Sequence, residues 1–380
     1  MSTRRRLRLL VDAGGGCDLA SVAMRRFGRF LRDCAVSIAV ALALLVVVEI
    51  VLRVFAPQLP RTEAAQSRAL PDSLLGYRYR ANSTARHITP EFNVHYVIDD
   101  HGFRQRDQPE AADSSAMRIL AVGDSFTFGD GNEERDTWLR VAEREVREKV
   151  EVSHRVHVDI INAGVEGYDT RSELLWLEEL VPKIHPDIVV LGFVANDVYT
   201  NRPVTSPPPP MLHPQESGAF ALHSVALARR LVMQNDRLYA NLFLLTSRRK
   251  YYATSPDSSV ARQMRITRDL LHEMADYCRG HETQLVIVSI PQQYSVISVA
   301  RNLHVDGIDP DIIDTQLASV VRHDGCIWVD ALPRLAAVYG QSHRDMFYRV
   351  DGHLTAEGNR VLGELVAGTL APRAWGAHPH

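Results

Sequence analysis

The sequence predicts an α/β domain: a parallel sheet of five strands with helices on both faces, behind a small β lead-in and an apolar helix long enough to cross a membrane. Three observations predict it. Short branched-apolar runs, Ile119-Leu120-Ala121-Val122, Val158-Asp159-Ile160-Ile161, Ile188-Val189-Val190-Leu191, Leu285-Val286-Ile287-Val288 and Ile327-Trp328-Val329, are separated by longer stretches patterned as helices. That alternation is the order of βαβ units, whose strands are buried on both faces. Several runs leave into Gly, Asn or Asp, the residues of turns at a sheet's carboxyl edge. Finally, the nineteen residues Cys34 to Leu52 carry one charge, Glu49, and as a helix would span about 28 Å, close to a bilayer's hydrocarbon thickness.

The elements follow in order. Residues 1–33 form a basic tail holding Arg4, Arg5, Arg6, Arg8, Arg25, Arg26, Arg29 and Arg32, against Arg53 and Arg61 just after the apolar stretch. This bias keeps the N-terminus in the cytoplasm and places the rest outside, in a periplasm-like space. Residues 1–23, rich in Gly and Arg, read as unstructured, and Met24 is an alternative start. Residues 34–55 are the anchor, with Glu49 near its outer end. A cleaved signal peptide competes with this reading, but Arg53-Val54-Phe55-Ala56-Pro57 offers no small-x-small exit. A buried core helix competes less well, because the stretch lacks helix-period polarity.

Residues 56–115 read as a linker and a small β pre-domain. Pro57 to Pro71 is a polar, proline-bearing tether, and Leu75 to Arg80 and Phe92 to Ile98 alternate as strands do, the second ending in a turn at Asp99 to Arg104. Tyr77, Tyr79 and Phe92 have two open roles, contact with a glycan or lipid head group, or buried edge packing.

Residues 116–372 are the main domain and 373–380 a tail. Helices are predicted over Glu134 to Val150, Arg171 to Ile184, 222–249, 258–280, 310–323 and Thr355 to Leu370. The stretch from Arg202 to Pro214 holds a four-proline run and is neither helix nor interior strand. It is a lid beside a site or a solvated spacer. Arg229, Arg230, Arg248, Arg249 and Lys250 give local positive charge, read as facing an anionic surface or as a solvated face.

Composition narrows the function. The net charge is −3 and no dense basic patch interleaved with aromatics is present, which disfavours nucleic acid. Of four cysteines, Cys17 and Cys34 lie before or in the apolar helix, so Cys278 and Cys326 alone are candidates for pairing, which nothing in the spacing demands. No Cys/His cluster has metal-ligand spacing and no phosphate loop occurs, so the reading carries no cofactor.

Four segments at strand ends carry chemistry. Gly123-Asp124-Ser125-Phe126-Thr127 follows the first main-domain strand and sets a serine at a turn; Thr127 stands where the Gly-x-Ser-x-Gly elbow would have its second glycine. A capped strand-to-helix turn would look the same. The second strand leaves into a loop with Gly164 and Gly167, where a backbone N–H can approach a ligand. The third leaves Gly192 for Asn196-Asp197, an amide donor at the carboxyl end. Asp351-Gly352-His353 lies just before the last helix. A serine hydroxyl becomes a nucleophile when an oriented histidine takes its proton.

Together these segments resemble the four blocks of the SGNH (GDSL-like) hydrolase superfamily, in the right order, over about 118 to 370, and the pre-domain resembles the lead-in of its membrane-anchored bacterial members. The resemblance implies a flavodoxin-like three-layer fold, with Ser125 the nucleophile, His353 the general base and acid, Asp351 its orienting carboxylate, and Gly167 N–H, the Asn196 side chain and Ser125 N–H the oxyanion donors. Gly164 competes with Gly167, which is preferred because it precedes Tyr168-Asp169-Thr170 as the family's glycine precedes Asp-Thr. Many members carry Asp-x-x-His where this chain has one intervening residue, so a backbone carbonyl is the alternative partner of His353, with Asp351 a loop cap. Asp124 and Asp197 are read as structural. The implied activity is an extracytoplasmic serine esterase acting on O-acyl groups of an envelope glycan or on lipid esters. Acyl transfer to a glycan and a non-catalytic glycan-binding module are the alternatives.

Overall fold

A five-stranded parallel sheet sits between two layers of helices in this computed structural model, which describes residues 15–63, 68–106, 116–154, 157–206, 221–342 and 345–376. The chain clusters into two compact units, residues 1–58 with 222–226, and residues 59–221 with 227–380.

The first unit is dominated by α1 (Gly15–Phe55), whose stretch Met24–Phe55 is apolar and long enough to cross a membrane. From Val36 to Val51 its valine, leucine and isoleucine side chains are exposed. Glu49 pairs with Arg53 at 2.9 Å and accepts the backbone N–H groups of His223 (2.9 Å) and Ser224 (3.0 Å). The helix starts well before Cys34, and within residues 15–23, which the sequence reading left unstructured; the tail arginines up to Arg8 lie outside the described residues.

The second unit opens with short antiparallel strands: β1 (Arg61–Glu63), β2 (Ala69–Asp72), β3 (Gly76–Tyr79), β4 (Ser83–Ile88) and β5 (Asn93–Ile98). β1 pairs with β4, β4 with β5, and β2 with β3. β1 and the first three residues of β2 fall inside the predicted tether, so these parts of it are pinned by strand pairing rather than left as a spacer. β4 was missed because Thr84, Arg86 and His87 break up its apolar signal; the inward-facing Ala85 is small. Tyr77, Tyr79 and Phe92 are buried, the packing alternative of the two.

The main layer follows as β6 (Met117–Gly123), α2 (Ser125–Phe128), α3 (Trp138–His154), β7 (Val158–Asn162), α4 (Thr170–Ile184), β8 (Ile188–Val194), α5 (Asp197–Thr200), α6 (His223–Met233), α7 (Asp236–Leu244), α8 (Ser258–Gly280), β9 (Gln284–Ile290), α9 (Gln293–Ala300), α10 (Ile312–His323), β10 (Ile327–Asp330), α11 (Leu332–Gln341) and α12 (Ala356–Gly376). The strand order is β7-β6-β8-β9-β10, all parallel, the flavodoxin-like order. In β6, Ile119 and Ala121 face the layer of α3, α9, α11 and α12, while Leu120 and Val122 face α4, α8 and α10. This alternation buries β6 on both sides.

Two helix predictions are corrected. The Glu134 start is a single 3-10 turn, and α3 begins only at Trp138, where the backbone N–H is capped by the Asn359 side chain at 2.9 Å. The predicted helix 222–249 breaks at Gln234-Asn235, where Asn235 caps α7, and ends in a 3-10 turn over Ser247–Tyr252. α9 and α11, short and preceded by strands, were not predicted. The prolines from Pro207 to Pro214 lie outside the described residues. Cys278 and Cys326 are free thiols, and burial pushes the Cys278 thiol up to about 12.

Candidate active site

β6 and β8 are neighbours, yet the chain leaves β6 toward β7 on one side and β8 toward β9 on the other. Ligands of open α/β sheets bind at such a reversal, outside the carboxyl ends of the strands. Ser125 follows β6 and Asn196 follows β8.

The Ser125 turn is built by packing. Asp124 caps α2, its side chain accepting from Phe126 N–H at 2.8 Å, and α2 closes at Gly129 in the left-handed region. Thr127 folds back over the strand ends: a Cβ at Gly123 would lie 2.1 Å from Thr127 Oγ1 and 2.7 Å from its Cβ, and one at Gly192 would lie 2.0 Å from the same oxygen. Gly123 and Gly192 are register partners, so two glycines make the room that one threonine fills. The β7 loop is tied to this turn too. Asn162 Nδ2 donates to Thr127 O at 3.0 Å, and its Oδ1 accepts the Gly164 N–H at 3.1 Å.

Ser125 is half-buried among buried neighbours. His353 Nε2 is 2.7 Å from Ser125 Oγ, and His353 Nδ1 is 2.5 Å from Asp351 Oδ1. Asp351 also accepts the His353 backbone N–H at 3.2 Å. The single residue between them, Gly352, takes φ +94°, a conformation that bends this short link back on itself. The imidazole keeps 18% exposure and packs against the Phe126 ring, centroids 4.8 Å apart. Burial works against its charged form, but the Asp351 carboxylate, with Asp130 and Asp124 beyond it, overcomes this and pushes the histidine up to about 10.

The two glycines of the β7 loop differ. Gly164 is buried, its N–H is taken by Asn162, and a Cβ there would lie 2.5 Å from Phe128 N. Gly167 is exposed with φ +77°, and its N–H has no acceptor among the described residues. Asn196 donates one amide N–H to Asp124 Oδ2 at 3.1 Å, which leaves the second available. Asp124 is held above the usual carboxylate range by burial, with Asn196 and the Phe126 N–H pulling it down. Asp197 accepts the Val194 N–H at 3.3 Å. Both aspartates therefore serve backbone and neighbour amides.

Sequence reading missed Asp130. It is buried, accepts from the Tyr96 hydroxyl and the Gly131 N–H, and lies 3.9 Å from His353 Nδ1 and 3.6 Å from His87 Nδ1. His87, His353 and Tyr96 hold it well below the usual carboxylate range against the effect of burial. Asp130, Asp351 and His353 bring three ligand atoms within 4.8 Å of one another, but the two imidazole nitrogens already face Ser125 and Asp351, an arrangement suited to proton transfer rather than to a cation.

The sequence model of the GDSL-like Lipase/Acylhydrolase family matches residues 121–361, well over half of the chain, and the chain belongs to that family. By that membership it is a carboxylic ester hydrolase. Solved structures to which it is similar include a lipase/acylhydrolase from Enterococcus faecalis, at 17% identity and TM-score 0.38, covering 67% of this chain and 96% of that one. Esterase EstA from a Pseudoalteromonas species matches at 10% identity and TM-score 0.39, over 69% of this chain and 100% of the other. TesA matches at 14% identity and TM-score 0.40, over 67% and 98%. No protein of curated function matches the chain.

Proposed function

We propose that this hydrolase is a serine esterase held in a membrane by α1, with its N-terminus inside and its catalytic unit outside, and that it removes O-acyl groups from an envelope glycan, with lipid esters the second substrate class. The catalytic reading is carried by the continuous line from Asp351 through His353 to Ser125, with both links within 2.7 Å. The membrane reading is supported by the candidate span Met24–Phe55 and by the arginines that precede its apolar run from Cys34.

In this mechanism His353 Nε2 takes the Ser125 proton as the hydroxyl oxygen attacks the ester carbonyl. Asp351 holds the ring and stabilises the imidazolium that forms. The carbonyl oxygen becomes an oxyanion and is met by the Gly167 N–H, the remaining Asn196 amide N–H and the Ser125 N–H. His353 returns its proton to the leaving alkoxide as the C–O bond breaks. Water, deprotonated by the same imidazole, then releases the acid and regenerates Ser125.

The test is turnover of p-nitrophenyl acetate by the full chain beside Ser125→Ala, with a fluorophosphonate probe read by mass. The wild type is expected to hydrolyse the ester and to take the probe on Ser125. The variant should lose on the order of a millionfold in kcat. Equal rates in both would reject the mechanism, and acylated glycan forming faster than free acid would shift the reading to transfer.

A further inference from the structure

We propose that the β segment from Arg68 to Arg104, which precedes the family's matched region, is a positioning element of the active site that holds the nucleophile, oxyanion and histidine loops in one register. This rests on the catalytic roles given above, and it extends them to residues that never touch substrate.

Each of the three loops is gripped by this segment. Behind the nucleophile, buried Arg104 donates to the carbonyls of Phe128 at 2.6 Å, Gly129 at 2.8 Å and Asn132. Its guanidinium lies 4.7 Å from the Phe128 ring centroid and 5.0 Å from that of Tyr96. These are the carbonyls that follow Ser125, so the last turn of α2 is fixed from outside.

At the oxyanion loop the grip falls on one residue. The Tyr77 hydroxyl donates to the Glu166 carbonyl, the Tyr79 hydroxyl accepts the Glu166 N–H at 3.0 Å, and Arg68 pairs with the Glu166 carboxylate at 2.5 Å. Tyr77 is itself held by Tyr168, whose hydroxyl donates to the Tyr77 carbonyl at 2.6 Å. The Glu166 carbonyl and the Gly167 N–H belong to the same planar trans peptide and point in opposite directions. A hydroxyl bonded to that oxygen therefore aims the N–H on the other side, and Gly167, at φ +77°, has no side chain to restrain it otherwise.

At the histidine loop, the Glu91 carboxylate accepts the backbone N–H groups of Val350 at 3.1 Å and Asp351 at 3.0 Å. Asp351 then meets His353. A second route reaches the same imidazole: Tyr96 and His87 hold Asp130, which lies 3.9 Å from His353 Nδ1. A general fold-stabilising role would not require these bonds to converge on the carbonyls, amides and carboxylates of three catalytic loops. Displacement of reacting groups by about 1 Å can cost on the order of a hundredfold.

The experiment measures the full chain with p-nitrophenyl acetate, each rate normalised to sites titrated by a fluorophosphonate, for Tyr77→Phe, Glu91→Ala and Glu91→Gln. Tyr77→Phe removes one oxygen and keeps the buried ring; kcat should fall about tenfold or more, with KM and unfolding midpoint little changed. Glu91→Ala should behave alike, and Glu91→Gln, which keeps an acceptor oxygen, should recover most of the loss. Wild-type kcat in both Tyr77→Phe and Glu91→Ala would overturn the proposal, as would losses that vanish on normalisation to titrated sites. A wild-type chain that is neither active nor labelled would instead sink the catalytic reading, and this one with it.

Discussion

Ser125, His353 and Asp351 are hydrogen-bonded to one another before any substrate arrives, whereas the Gly167 N–H and the second Asn196 amide N–H meet no acceptor among the described residues. In the proposed mechanism the proton relay moves a proton between protein groups and can be assembled in the resting chain. An oxyanion exists only during the reaction, so its donors help most by being fixed in direction and left unsatisfied. Under that mechanism the two halves need different support: the relay holds itself, and the donors must be aimed from behind.

The largest effect that would sharpen this contrast falls on the relay. Asp351→Asn should lower kcat by about ten-thousandfold, since the ring loses its orienting anion. The pH profile checks the cause. Because His353 is pushed up to about 10 and only the neutral ring accepts the Ser125 proton, wild-type kcat/KM should climb with pH toward that value. Asp351→Asn should move this limb to lower pH. Stability runs the other way: a raised histidine favours the folded state below its ordinary value of 6.5, and that contribution is lost as pH rises through about 10. Denaturant unfolding of the wild type should therefore weaken over that window, and less so in the variant.

A smaller effect is expected at the donors. Asn196→Ala should cost about two to three powers of ten in kcat with the pH limb unmoved, as loss of an oxyanion donor does. A shifted limb would mean that Asn196 acts through Asp124 on the relay, and the contrast would break. The smallest effect is on the scaffold beneath both halves. Gly123→Ala places a methyl 2.7 Å from Thr127 Cβ and 3.0 Å from Gly192 O, and should destabilise the fold by about 1–3 kcal/mol in denaturant unfolding.

What could be read in advance follows the same division. The five main strands and their parallel class were legible, and Ser125, Asn196, Asp351 and His353 were legible as candidates, because each chemical residue stands just past an apolar run or before a helix, a signal local in sequence. The single residue between Asp351 and His353 left the aspartate's part open, and the φ +94° turn at Gly352 is what brings the carboxylate to the ring. The choice of Gly167 over Gly164 was made on a neighbouring motif; the observed difference is which N–H is already used.

Asp130, Glu91, Arg104 and Tyr77 were not legible as parts of the site. Glu91 meets Asp351 across 260 positions and Tyr77 meets Glu166 across 89, and neither pairing leaves a periodicity or a local motif. Their residue types are ordinary for a strand or a turn, and only the tertiary fold makes them neighbours. Burial, one of the two roles left open for Tyr77 and Tyr79, leaves out what their hydroxyls do.

Thr127 sits at the mouth of two adjacent strands, and its side chain occupies space claimed from both Gly123 and Gly192. The three positions therefore cannot drift independently. A chain that first trades Thr127 for alanine would relieve the contact at Gly192, whose close neighbour is only the threonine oxygen. Gly123 would stay confined by the Cβ that alanine keeps at 127, 2.7 Å away, and by the carbonyl of the adjoining strand. Descendants of this sequence should thus acquire bulk at 192 only after losing it at 127, and at 123 last of all.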